Sequence, residues 1–258
     1  NKLNNSNFEF IPYKHIIVDN IFTNDFYQKL LENKIPTECL TALVESGSVG
    51  KYYSDKRFIL KLSSKLTILS KKHRLFWEEI YQWFNTDFKY LIQKKFDFEK
   101  EIDLRLLYSR DFQGYELGPH TDNPSKLFTL LIYLTETNDN YEYGTSIFTP
   151  KSDYIKNCEG LKHHNFDNFN IFRNIEYKYN RLFGFLKSDN SFHGVLPIKK
   201  DFVSSEVLPV NNEDIINFLT SNFFNPSSNC FDKILDPSPL FFSISSTISS
   251  PKAALYNN

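Results

Sequence analysis

The sequence predicts a mainly β fold with helices packed on one side of it, and three observations carry that expectation. After Glu101 the chain breaks into short runs rich in Ile, Leu, Phe, Tyr and Val, at 102–109, 127–134, 144–149, 181–187 and 193–198, separated by turn residues. Before that point, 66–98 carries apolar residues at helical spacing with Lys, Arg and Glu on the other face. No helix-length pattern of comparable strength interrupts the β region, which disfavours a parallel βαβ sheet and leaves a β-sandwich or barrel. At 258 residues, 17% of them aromatic, the chain has material for one large core.

Taken in order, "HIIVDNIF" (15–22) reads as a short buried strand and 23–36 as a helix, with Thr23 or Asn24 as N-cap and Pro36 after its end. Leu69, Phe76, Ile80, Trp83 and Phe84 form an aromatic and aliphatic stripe within 66–98, on one long helix or on two joined near Asn85. Packing against a sheet accounts for such a stripe better than a cofactor box does. The polar and aromatic stretch 151–179 reads as a long insertion. The expected organisation is a single domain over 1–258: a helical support region with an opening strand (1–100), a barrel core (101–210) and a C-terminal extension (211–258), in which "NEDIINFL" is helix-like and 243–250 is Ser-rich.

Thirty basic residues against 31 acidic ones give a net charge of −1, so there is no electrostatic footprint for nucleic acid or an anionic membrane. No apolar run reaches 18 residues and the opening "NKLNNSNFEF" is polar, so neither a spanning helix nor a signal peptide is expected, and the default compartment is the cytoplasm. Cys39, Cys158 and Cys230 are too few and too scattered for a disulfide framework or a thiolate metal cluster.

Chemistry concentrates in "YELGPHTDNPSKLFTLLIYL" (115–134). His120 and Asp122 stand two apart, and in extended chain such side chains leave on the same face. A second histidine, His193 in "NRLFGFLKSDNSFHGVLPI", is carried back by a strand, a turn and another strand. Two neutral imidazoles and one carboxylate on one face of a cation leave the opposite positions open, the arrangement that non-haem iron(II) uses. His163-His164 also invites a metal reading, but adjacent side chains in sequence point apart, and a solvated loop is the simpler expectation. Arg105 and Arg110 are candidates for a substrate carboxylate, although surface salt bridges are the commoner fate of arginine; His15 and His73 carry no signal beyond the fold.

From Arg105 to Ile198 the sequence resembles the iron(II) and 2-oxoglutarate-dependent dioxygenase superfamily, particularly its prolyl-hydroxylase-like branch, through "GYELGPHTD", "FTLLIYL", the glycine of "YGTSIF", "NRLFGF" and "HGVLPI" in that order. The N-terminal "PYKHIIVDNIF…YQKLL" also looks like the opening of bacterial and phage members. The resemblance implies a double-stranded β-helix, a jelly-roll or cupin-like barrel with N-terminal helices packed on one side. It implies Fe(II) held by His120, Asp122 and His193, with 2-oxoglutarate and molecular oxygen as co-substrates, and Tyr133 at the distal carboxylate of the keto acid. The family's arginine or lysine some nine or ten residues after the distal histidine is not matched, since that region reads "KKDFVSSEV". Lys199, Lys200, Arg105 and Arg181 are the candidates to take its place. Asp122 favours hydroxylation over halogenation, and the implied substrate is an amino acid, a peptidyl proline or a small metabolite. The competing expectation is a catalytically inactive, or keto-acid-independent, cupin-like metal-binding module.

Overall fold

The computed structural model describes residues 2–43, 56–136, 143–152, 163–199 and, for the backbone alone, 240–248. The chain runs α1 (Lys2–Asn5), β1 (His15–Asp19), α2 (Asn24–Glu32), β2 (Thr41–Ala42), β3 (Arg57–Lys61), α3 (Lys71–Trp83), α4 (Lys89–Phe96), β4 (Ile102–Asp111), β5 (Leu117–His120), β6 (Lys126–Leu134), β7 (Thr145–Pro150), β8 (Phe169–Ile175), β9 (Arg181–Leu186), β10 (His193–Val195) and β11 (Leu240–Ile248). All strand pairs are antiparallel. They build a seven-stranded sheet, β1-β9-β6-β11-β4-β3-β2, and a four-stranded sheet, β5-β10-β7-β8.

Alternation along the strands of the larger sheet decides what faces what. Leu104, Leu106 and Tyr108 of β4 and Phe128, Leu130 and Ile132 of β6 lie under the helices, against Trp77, Ile80, Phe84, Phe88 and Ile92. Phe183 and Phe185 of β9 and Tyr133 of β6 point the other way and meet Ile147 and Ile175 of the smaller sheet.

The helices start and stop where their polar atoms find partners. Thr23 Oγ1 accepts from the Phe26 N–H and caps α2, and the Ser70 hydroxyl accepts from the His73 N–H to cap α3. The 66–98 pattern resolves into α3 and α4 joined by a wide π-type turn at Phe84–Phe88, so the junction falls at Asn85 as expected. Trp77, which the stripe left out, is the fully buried anchor; its indole N–H donates to the Asn33 carbonyl at 2.7 Å and ties α3 to the end of α2.

Several expectations are corrected. The stretch 151–179 is not all insertion, because Phe169–Ile175 pairs with β7 as the edge of the smaller sheet. Leu117–His120 is a strand despite its Gly-Pro. The Ser-rich tail supplies β11, which runs between β6 and β4, so the larger sheet draws a central strand from beyond residue 210. The helix-like 212–219 stretch, Lys200, Cys158 and Cys230 lie outside the described residues. Among the described residues, no helix is long and apolar enough to cross a membrane.

Replacing Trp77 with Ala removes a fully buried aromatic and leaves the Asn33 carbonyl unpaired. The expected loss is about 3–5 kcal/mol of stability, read as a lower urea midpoint.

Candidate metal centre

The register of the smaller sheet brings the two histidines together. β10 pairs with β5 so that His193 lies directly opposite His120, and their rings stand 4.3 Å apart between centroids. Close backbone approach makes this pairing possible: a Cβ on Gly194 would stand 2.3 Å from the Leu117 carbonyl oxygen. Asp122 leaves β5 two residues after His120, on the same side. One ligand atom from each of His120, Asp122 and His193 lies within 4.8 Å of the others, and all three residues are buried.

Each side chain is held by a second contact. His120 Nδ1 lies 3.0 Å from the Gly118 carbonyl, and His193 Nδ1 lies 3.0 Å from the Ser191 carbonyl. A carbonyl only accepts, so both Nδ1 atoms carry the proton and both Nε2 atoms keep a free lone pair for a cation. Asp122 accepts from Lys126 Nζ on one oxygen and from Thr129 Oγ1 on the other, each at 2.7 Å. A tight turn makes the lysine contact: Asn123 accepts the Lys126 N–H through its backbone carbonyl and the Ser125 N–H through its side chain, folding Lys126 back over Asp122.

The electrostatics suit a cation. Burial alone would raise the Asp122 carboxyl, but the Lys126 ammonium bonded to it outweighs that and holds it well below the usual carboxylate range. Burial, together with His193, pushes His120 well down, and burial pushes His193 down against the pull of Asp122. Near neutral pH the set is therefore two neutral imidazoles and one carboxylate, the protonation state in which such donors bind a metal. Phe185 packs against the His193 ring at 4.4 Å and, with Phe183, forms an apolar wall. Tyr13 reaches the same region from the segment before β1, donating its hydroxyl to the Phe192 carbonyl at 3.2 Å next to His193.

The remaining candidates separate by position. Tyr133 is fully buried and its hydroxyl accepts from the Thr145 N–H at 3.1 Å. Arg181 lies in the neighbouring row, Leu182 pairing with Ile132, and its guanidinium is bound by Asp19 at 2.5 and 3.0 Å and by Glu176 at 3.2 Å. Arg105 is exposed. Through β11 it shares a row with Thr129, whereas Tyr133 shares a row with Ser109, so Arg105 faces the metal end, about 13 Å along the strand from the Tyr133 end. Lys199 is exposed in the loop after β10. Arg110 is buried on the opposite face, donating to Thr37, which removes it from the site.

Two features escaped sequence reasoning. Lys126 and Thr129 carry no motif of their own, and only their three- and seven-residue offsets from Asn123 and Asp122 hint at a turn that folds back. His163, expected in a solvated loop, instead sets its ring 4.6 Å from that of His120; burial, then His193, His164 and Arg57, push it down to about 4.

No protein-family model matches the sequence, and neither does any curated protein. Among solved structures the chain is similar to a Pseudomonas putida prolyl-4-hydroxylase, with TM-score 0.46, 11% identity, and coverage of 92% of this chain and 93% of that one. It is also similar to a prolyl hydroxylase from Trichoplax adhaerens in complex with a hypoxia inducible factor peptide, with TM-score 0.49, 10% identity, and coverage of 94% and 87%. A third is HygX from Streptomyces hygroscopicus with nickel, 2-oxoglutarate and hygromycin B bound, with TM-score 0.48, 10% identity, and coverage of 91% and 83%.

The depressed imidazoles give the metal-free protein a pH signature. The unfolded chain takes up protons near pH 6.5 that the folded site resists, so stability falls as pH drops below that value, by up to about 1.4 kcal/mol per pH unit for each imidazole. Asp122 adds nothing in that window, because its contribution is lost only as pH falls below the unfolded carboxylate value of about 3.9. Urea midpoints measured from pH 7 to 5 are expected to decline, with a shallower slope in His193→Gln.

Proposed function

We propose that this chain is a non-haem iron(II) and 2-oxoglutarate-dependent oxygenase on a double-stranded β-helix, hydroxylating a C–H bond of an amino acid, a peptidyl proline or another small molecule. One observation carries the reading: among the described residues, two imidazoles whose Nδ1 atoms face backbone carbonyls and one carboxylate, all buried, bring their donor atoms within 4.8 Å of one another, a facial set of three that suits non-haem iron(II). The strand order supports the barrel. From β4 to β11 the chain passes between the larger and smaller sheets in the sequence large, small, large, small, small, large, small, large, as a strand-swapping double-stranded β-helix requires.

His120, Asp122 and His193 would hold iron(II), which with 2-oxoglutarate would supply the activation of dioxygen, the keto acid leaving as succinate and carbon dioxide. The chain's own residues prepare that site. Lys126 and Thr129 keep Asp122 ionised and aimed, the Gly118 and Ser191 carbonyls keep both imidazoles in the metal-binding tautomer, and the wall of Phe183 and Phe185 keeps water from the interior. Tyr133 is proposed at the distal end of the keto acid, and Arg105, at the metal end, on the substrate side.

A keto-acid-independent, cupin-like metal module, or a barrel without catalysis, is the second reading. Arg181 favours it: the described arginine nearest Tyr133 already has its charge answered by Asp19 and Glu176.

Anaerobic titration of the apo-protein with Fe(II) and then 2-oxoglutarate separates the two. The oxygenase reading expects the weak visible charge-transfer band of the iron–keto acid chelate, absent in His120→Ala. Iron binding without the band transfers the assignment to the cupin-like module, and no iron binding leaves a barrel without a metal role.

A further inference from the structure

Asp122 does not present its two oxygens alike. Oδ2 is the one turned to the imidazoles: it stands 3.9 Å from His193 Nε2 and accepts from Thr129 Oγ1 at 2.7 Å. Oδ1 is taken by the Lys126 ammonium, also at 2.7 Å. Both donors come from β6, which begins at Lys126, so a carboxylate that lies outside that strand is gripped by a single rigid element. The turn at Asn123 steadies Lys126 further by accepting its backbone N–H at 2.9 Å. Exposed ion pairs add little, but this one is sheltered: the Asp122 side chain is only 8% exposed, with the lysine partly buried over it.

We infer that Lys126 is a positioning residue that limits Asp122 to binding a cation through Oδ2 alone, and so decides how many positions the metal keeps open and which metals the site accepts. The inference rests on the metal reading above. Two-oxygen binding would draw Oδ1, with the ammonium bonded to it, up against the divalent cation. Like-charge repulsion opposes that approach where burial weakens screening. One-oxygen binding by Asp122, together with the two imidazoles, leaves about three positions of an octahedral ion open, whereas two-oxygen binding leaves about two. The same restraint discriminates between cations. Calcium takes about six to eight oxygen ligands, two-oxygen carboxylates among them, so two nitrogens and a single carboxylate oxygen suit it poorly. Manganese(II) and iron(II) accept such a set.

Manganese(II) is the probe, because the relaxation of solvent water reports how many water molecules it holds, and neither keto acid nor substrate is needed. The wild-type protein is expected to keep about three exchangeable waters on Mn(II). Lys126→Met, which keeps the length and loses the charge, is expected to keep about two, and to bind Ca(II) about tenfold more tightly relative to Mn(II). Lys126→Gln should shift both readouts the same way and guards against a packing defect peculiar to methionine. Lys126→Arg, which restores the cation, is expected to return both toward the wild type. A lysine that only stabilised the fold would change the unfolding midpoint but neither the water count nor the preference between cations. Equal water counts with an unchanged Ca(II)-to-Mn(II) preference in both uncharged variants, or loss of Mn(II) binding in both, overturn the inference and leave the triad intact. An arginine variant that follows methionine assigns the effect to shape instead of charge and overturns it too. Absence of Mn(II) binding by the wild type overturns the metal reading and this inference with it.

Discussion

One cross-strand pair organises the site: His193 of β10 opposite His120 of β5. Strand side chains alternate between faces, so a slip of one residue in that pairing would turn one imidazole away and leave a lone histidine against a carboxylate. The pair is protected from such a slip on both flanks. β10 is also paired with β7, His193 opposite Ile147, so its register is set twice. Gly194 then allows the β10 backbone closer to β5 than any side chain would permit. Behind this strip stands the larger sheet with its helices, and the burial of Trp77, Phe84 and Ile92 beneath it stiffens a platform on which the smaller sheet rests.

The electrostatic design follows from that placement. Burying a carboxylate beside two imidazoles is costly unless its charge is answered, and without a cation the answer comes from Lys126 and Thr129. The lysine keeps Asp122 ionised while the imidazoles stay neutral, so the metal-free site holds the protonation state that a divalent cation demands. A cation entering such a site displaces little proton and reorganises little structure.

Legibility followed the kind of signal each residue sends. His120, Asp122 and His193 were visible because a two-residue spacing in an extended segment and a distal histidine between two β runs are local patterns. The core strands from 102 to 187 were visible because alternation in β-branched and aromatic residues is local too, and Thr23 and Pro36 marked the limits of α2. β11 was not, because Ser alternating with Ile reads as a polar tail unless the neighbours that cover it are known. β8 was hidden by its edge position: exposed Ile171 and Phe172 between Asn and Arg break the expected alternation. Lys126 and His163 reach the site through tertiary proximity: the offset of Lys126 from Asn123 hints only at a turn, and the His163-His164 pair reads from sequence as a solvated loop. Arg105 and Arg181 stood as equal candidates in the sequence, whereas register separates them by row.

That separation bears on the chemistry of the site. A keto acid is about half as long as the interval between the Thr129 and Tyr133 rows, so no single small dianion spans from Arg105 to Tyr133. On the proposed reading, Arg105 and Tyr133 are therefore assigned to different ligands. Arg181, at the Tyr133 end, is already matched by Asp19 and Glu176, so an incoming carboxylate there meets hydroxyl and amide donors before it meets an unanswered cation. Arg105, at the metal end, is exposed, and among the described residues it has no carboxylate partner. Among the described residues, exposed positive charge therefore lies at the Thr129 end of the sheet face, while the arginine at the Tyr133 end is matched by carboxylates. Under the proposed oxygenase reading, the described residues at the Tyr133 end offer a keto acid's distal carboxylate hydrogen bonds more than an unanswered ion pair.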